Sequence, residues 1–196
     1  MKIISETKAL EDLHRLKSDF RRSIRHDYEH AATDCMTCAT PGACCLDAHF
    51  VNVHITRLES VTIRNVIDEL PAERQTAIFD RVEDTIARYG LSSERDTFTQ
   101  TYACPLFEKG IGCLVHERGK PLPCIAHACY ENKNDLPPDE LLAEHEGHVE
   151  RLNEAAYRRP ATWLPLPIAI RKLSASDRSV SFDRRGWSAG AAGREK

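Results

Sequence analysis

Eight cysteines are the residues best suited to chemistry in this 196-residue sequence. They fall into two tight groups, and every other stretch has none. Cysteines that only fill a core behave as small hydrophobes and would scatter, so clustering points to metal ligation. The first group is Cys35-Met-Thr-Cys38-Ala-Thr-Pro-Gly-Ala-Cys44-Cys45. Its Cys-x-x-Cys start puts two thiolates on one turn, at a spacing that suits a tetrahedral ion. Pro41-Gly42 is a turn signal that returns Cys44 or Cys45 to the same place. Consecutive side chains diverge, so one of that pair is expected to ligate while the other packs or reaches a second metal. In the second group the glycines between Cys104 and Cys113 predict a hairpin-like turn that brings both sulfurs together. Pro121 and Pro123 stiffen the approach to Cys124, and Cys129 follows five residues later. The candidate metal ligands are therefore Cys35, Cys38, Cys44, Cys45, Cys104, Cys113, Cys124 and Cys129. A Cys-x-x-Cys pair also serves thioredoxin-like redox chemistry, but that needs a strand–helix context which the flanking residues lack.

Thiolate donors suit a closed zinc site or an iron–sulfur cluster. An iron–sulfur cluster is the first expectation and zinc the second, with iron alone possible. No Cys-x-x-x-Cys-x-x-Cys is present, so the usual radical-SAM cluster motif is absent. Histidines offer weaker candidates. His26 and His30 stand four apart before the first cysteines, a spacing that can hold one ion on a helix. His127 is a candidate ligand or neighbour of the sulfurs, and His116 a candidate hydrogen-bond partner for one. His145 and His148 with Glu144 and Glu146 look like a di-metal edge, but they do not form His-Glu-x-x-His, and an exposed helix face is expected. Arg57, Lys109, Arg118 and Lys120 could offset thiolate charge, although a solvated surface position is the expectation for each.

The order of the cysteines resembles the CxxCxxCC family, a zinc- or iron-chelating domain typified by YkgJ-like proteins. That family pairs an N-terminal Cys-x-x-Cys…Cys-Cys with a later Cys-Pro-hydrophobic…Cys. Here the first half is Cys35, Cys38, Cys44 and Cys45, and the second is Cys104-Pro105-Leu106, Cys113 and Cys124. The likeness covers about residues 34 to 130. The spacer between Cys38 and Cys44 is longer than the family's, His116 stands for a tyrosine, Lys120-Pro121 for Arg-Pro, and Cys129 lies outside the core pattern. The resemblance implies a chelating centre. Flagellin lysine N-methylases carry a related motif, so it also implies that an enzymatic member is conceivable.

The elements that position these residues read as mainly helical. Leu10, Leu13, Leu16, Phe20 and Ile24 form an amphipathic stripe over residues 5 to 31. Ser5 followed by Lys8 makes a poor capping box, which leaves the start open. Residues 34 to 46 read as loop, and 49 to 55 as a short strand from their alternation. Helices are expected over 57 to 69 and over 72 to 89. The second has Pro71 at its first position, Ile78, Val82 and Ile86 on one face, and Gly90 as its stop. Residues 97 to 130 are loop-rich, turning helical from Cys124 to Tyr130. A further helix runs from 138 to 158, with Leu141, Leu142, Val149 and Leu152 apolar, and Pro160 ends it. Residues 161 to 173 are apolar and proline-punctuated, which suggests an extended strap.

The expected fold is a small irregular helical domain, residues 1–173, built around a cysteine-ligated metal centre with few or no short strands. A basic, Ser/Gly/Ala-rich and mobile tail, 174–196, follows. Hydrophobic residues make up 41% of the chain, enough for a core. Net charge is −3, which disfavours a nucleic-acid partner. No run approaches a membrane span, and Met1 to Leu10 lacks the apolar stretch of a signal peptide, so a cytoplasmic location is expected. Nucleotide loops and the Gly-x-Ser-x-Gly elbow are absent. The expected function is a cytosolic cysteine-cluster metalloprotein with a redox or enzymatic supporting role toward a protein partner or protein substrate. The alternative is a structural-zinc interaction module without catalysis.

Overall fold

The computed structural model describes residues 2–33, 40, 42–46, 52–94 and 96–180, with the backbone path alone for 174–180. The long helix α1, Glu6–Asp27, opens the chain. The short strand β1, Ala32–Thr33, follows it, and one helical turn, α2, Ala43–Leu46, carries Cys44 and Cys45. Then come β2, His54–Ile55, α3, Arg57–Asp68, and α4, Ala72–Tyr89. The second cysteine region contains β3, Phe107–Glu108, β4, Gly112–Cys113, α5, Leu122–Ala126, and β5, Cys129–Tyr130. The last described elements are α6, Asp139–Tyr157, β6, Leu164–Pro165, and α7, Leu166–Val180. The protein is mainly α, and the described residues form three two-stranded antiparallel ladders of two residues per strand: β1–β5, β2–β6 and β3–β4. None of the described helices is long and apolar enough to cross a membrane.

Local chemistry sets the helix ends. Ser5 caps α1 by accepting from the Lys8 amide at 3.2 Å, so the cap works without the glutamate of a full capping box. Thr56 and Glu59 form a complete box at the start of α3. Pro71 is the N-cap of α4, one position earlier than its sequence suggests, and Gly90 ends that helix in the left-handed region at φ 60°.

Two apolar clusters make the core. Leu13, Phe20 and Ile24 of α1 meet Val149 of α6 and Leu122 and Ile125 of α5. Ile63, Val66 and Ile67 of α3 meet Ile78, Val82 and Ile86 of α4 and Ile168 and Ile170 of α7. Helix α3 serves both, because Leu58 near its start joins the first cluster. Full burial of each such side chain contributes about 1.5–3 kcal/mol.

Three elements differ from their expected form. Residues 161–173 are not an extended strap, because helix α7 starts at Leu166 inside them. Pro165 precedes that helix and Pro167 lies in its first turn, where amide hydrogens have no intrahelical acceptor, so neither proline blocks it. The backbone of α7 runs on to Val180, past the expected start of the tail, and residues 181–196 are outside the described residues. Helix α5 starts at Leu122 and ends at Ala126, so Cys129 and Tyr130 are strand rather than helix. Of the strand expected at 49–55, residues 52–55 are described and only His54–Ile55 are strand, while 47–51 lie outside the described residues.

Strand β2 carries a buried histidine. His54 is 7% exposed, its Nε2 lies 2.8 Å from Thr97 Oγ1, and its ring stacks on Phe98 at 4.2 Å. Burial holds its pKa below the ordinary value. The unfolded imidazole takes up a proton near pH 6.5, while the folded one resists it. Stability from this group is therefore present above that pH and is lost as pH falls through the lower, folded value. Urea unfolding across pH 7.5 to 5 should show stability falling with acid, and His54→Gln should flatten that slope. An unchanged slope in the variant would remove His54 as its cause.

Candidate metal centre

Backbone contacts bring the two cysteine groups together. Gly42 has φ 81°, a conformation that suits only glycine, and a Cβ there would overlap the Phe107 ring. The turn is closed by hydrogen bonds from the Cys45 and Leu46 amides to the Gly42 carbonyl, at 2.9 and 3.0 Å. The Cys104 amide then donates to the Cys45 carbonyl at 2.7 Å. The expected turn between Cys104 and Cys113 exists as the β3–β4 hairpin, with Gly110 and Gly112 at positive φ. Helix α5, entered through Pro121, supplies Cys124. Ladder β1–β5 sets Thr33 opposite Cys129.

Each sulfur has a distinct environment. Cys44 and Cys45 lie close enough to shift each other's pKa in opposite directions. Hydrogen bonds from Cys45 and then His127 lower the pKa of Cys44. The hydrogen bond to Cys44, then burial and the nearby Cys104 and Cys124 thiols, raise that of Cys45. Burial pushes Cys104 up to about 12, and Cys113 adds to the effect. Burial likewise raises Cys113, and it raises Cys124 with help from Cys104. These thiols, from three chain segments, are near enough to raise one another's pKa, and none of them is in a disulfide.

Opposing this, nearby backbone amides lower the pKa, those of Leu106 and Phe107 for Cys104 and that of Val115 for Cys113. The Phe107 amide itself donates to the Cys104 carbonyl at 3.3 Å. Two cations add to this lowering. Lys120 stabilises the thiolates of Cys113 and Cys124, and Arg81 that of Cys104. Arg81 anchors itself by donating from Nε to the Pro105 carbonyl at 2.9 Å, and its buried Nη2 has no hydrogen-bond partner. Sequence reading missed Arg81, which lies 23 residues before Cys104 and is brought there by α4. Among the cations it did name, Arg118 pairs with exposed Glu69 and Arg57 stands over the Tyr157 ring.

The histidine candidates separate. Helix α1 ends at Asp27, so His26 and His30 do not share one helix face, and His26 lies 2.5 Å from Asp27 Oδ1. His116 is exposed, near Glu117 rather than a sulfur. Among the described residues, His127 is the histidine candidate near a cysteine, where it lowers the pKa of Cys44. The face with His145, Glu146 and His148 is half-buried, not exposed as expected. His145 packs its ring on Phe20 at 4.4 Å, and its Nδ1 lies 2.8 Å from the Leu141 carbonyl. Burial and then Glu59 raise the pKa of Glu146.

Cys35 and Cys38 lie outside the described residues. Among the described residues, no three His, Cys, Asp or Glu side chains are grouped so as to hold a metal ion. No family model, curated protein or solved structure matches the chain. The donor chemistry nevertheless fits a soft or borderline metal. Several thiols share a partly buried site with nearby backbone amides and two cations, where an ion would replace their protons.

Proposed function

We propose that this protein is a cysteine-ligated metalloprotein that holds an iron–sulfur cluster or iron. Cys45, Cys104, Cys113 and Cys124 are the described ligands, with Cys44 beside them and Cys35, Cys38 and Cys129 as further donors. The observation that carries this reading is the hydrogen bond from the Cys104 amide to the Cys45 carbonyl, which joins the two cysteine groups, with Arg81 anchored beside them on the Pro105 carbonyl. A cation held there would offset the charge of metal-bound thiolates. The cysteine order, similar to that of the CxxCxxCC chelating family, supports the same reading. When bound, the group would supply electron transfer or an electrophilic iron. The chain's own part is to hold the sulfurs, offset their charge and limit water at the centre. The centre would give redox or enzymatic support to a protein partner, in the cytoplasm.

A structural-zinc module without catalysis is the second reading. The packing of Cys104, Cys113 and Cys124 against the core cluster favours it, since structural zinc sites are closed. Iron, zinc and acid-labile sulfide should be measured on protein purified without oxygen, beside its visible spectrum. Brown protein with comparable iron and sulfide is the expected result. Colourless protein with zinc and no sulfide would establish the second reading, and metal-free protein would overturn both.

A further inference from the structure

A second site, with no cysteine in its lining, lies where the start of α3 meets the end of α6 and the first turns of α7. It is a cavity of about 360 Å³, within the size range of small-molecule sites. Its apolar wall includes Ile55, Leu164, Ala169 and Leu173. Three cations, Arg57, Arg159 and Lys172, line it, and among the described residues no carboxylate does. Arg57 is steadied over the Tyr157 ring, 4.7 Å from its centroid.

The deciding residue is Asn153, which lines the cavity and is 2% exposed. Its Oδ1 accepts from the Leu58 amide at 3.1 Å, in the first turn of α3. That bond fixes the amide orientation, with oxygen toward the helix and nitrogen away from it. With Oδ1 so engaged, the amide nitrogen is the atom Asn153 can offer to an acceptor in the cavity it lines. Beside it stand three cations, and the positive end of α3 adds to the field. An apolar wall with a cationic lining and a spare donor matches one kind of molecule.

We propose that this cavity binds a small organic anion, an acidic head of carboxylate or phosphate type on an apolar body. The head lies among Arg57, Arg159 and Lys172 and accepts from Asn153 Nδ2. The body lies against Ala169 and Leu173. The site is independent of the metal centre and stands whichever metal that centre holds.

Calorimetric titration of the full chain with decanoate, phenyl phosphate and decanol tests this, each kept at or below about 1 mM. The expected result is saturable binding of one or both anions, with a dissociation constant of about 10–100 μM. Decanol should bind at least about tenfold more weakly. The anion that binds tighter identifies the head as carboxylate or phosphate. Arg159→Gln and Lys172→Gln should each weaken binding about tenfold, the effect of losing one charge-assisted hydrogen bond. Asn153→Asp keeps the acceptor for Leu58 but removes the donor and adds a negative charge, so it should abolish anion binding. Circular dichroism would confirm that each variant is folded. Failure of both anions to saturate, equal binding of decanol, or full affinity in the two cation variants would overturn the proposal.

Discussion

Cys104→Ala and Cys113→Ala, each purified without oxygen, should carry less than about one tenth of the metal bound by the unaltered chain. The two residues come from opposite arms of one hairpin and share one sulfur environment. Removing either thiolate opens the ligand shell, and ligation free energy in such small centres is also folding free energy. Both variants should therefore melt well below the loaded parent and close to the parent stripped by a chelator. Full metal content in either one would refute a shared centre. The pH dependence follows from the same thiols. Burial holds Cys104 protonated up to about 12, so at neutral pH an incoming ion must displace its proton. Apparent affinity should rise with pH, by about tenfold per unit for each proton released. The metal-free fold responds in the opposite direction. An unfolded cysteine ionises near pH 8.5, below the folded value, so stability from Cys104 is intact below that pH and is lost as pH climbs toward 12.

Lys17→Met should cost about 3–5 kcal/mol, the usual consequence of leaving one buried charge without its partner. Lys17 lies on α1 with its side chain 7% exposed, and its Nζ is 2.9 Å from Oε1 of Glu59, whose side chain is 1% exposed. The contact is ionic but poorly aligned, since neither atom is hydrogen-bonded. Removing the lysine strands Glu59 beside the half-buried Glu146, which feels its charge. Lys17→Met with Glu59→Gln should recover most of the loss, because the amide still accepts from the Thr56 nitrogen that Glu59 Oε2 now caps. Urea unfolding of the two single variants and the double variant measures this coupling. A loss below about 1 kcal/mol in Lys17→Met would show that the pair is effectively solvated.

That pair also shows what the sequence conveys and what it conceals. Leu13, Phe20 and Ile24 define the buried face of α1, and Lys17 stands on the same stripe, three and four residues from its neighbours. Glu59 is the fourth residue of Thr56-Arg-Leu-Glu59, a capping box legible in the order of the residues alone. Both signals are local, but their meeting is tertiary, and no local pattern specifies it. The same holds at the thiols. The hairpin between Cys104 and Cys113 is legible because glycines punctuate it. Arg81 is not, because an arginine on an amphipathic helix has the same local signature whether it faces water or a sulfur. Helix α7 is hidden by its prolines, which break a helix interior but are harmless at its first turn. Nor does periodicity warn that His145 packs on Phe20, since a half-buried histidine and an exposed one share the same spacing.

The contact of Gly42 with the Phe107 ring bears on the order in which the centre is put together. Sulfurs on either side of a chain of roughly 60 residues must otherwise find each other by diffusion, and closing such a loop costs about 3–4 kcal/mol of entropy. Here a glycine turn and an aromatic ring hold Cys45 beside Cys104 through carbon contacts and one peptide hydrogen bond. If those contacts form as the chain folds, the long search would not depend on an ion. For the metal centre proposed above, loading would then be a short rearrangement of side chains, a local event that leaves the helices in place.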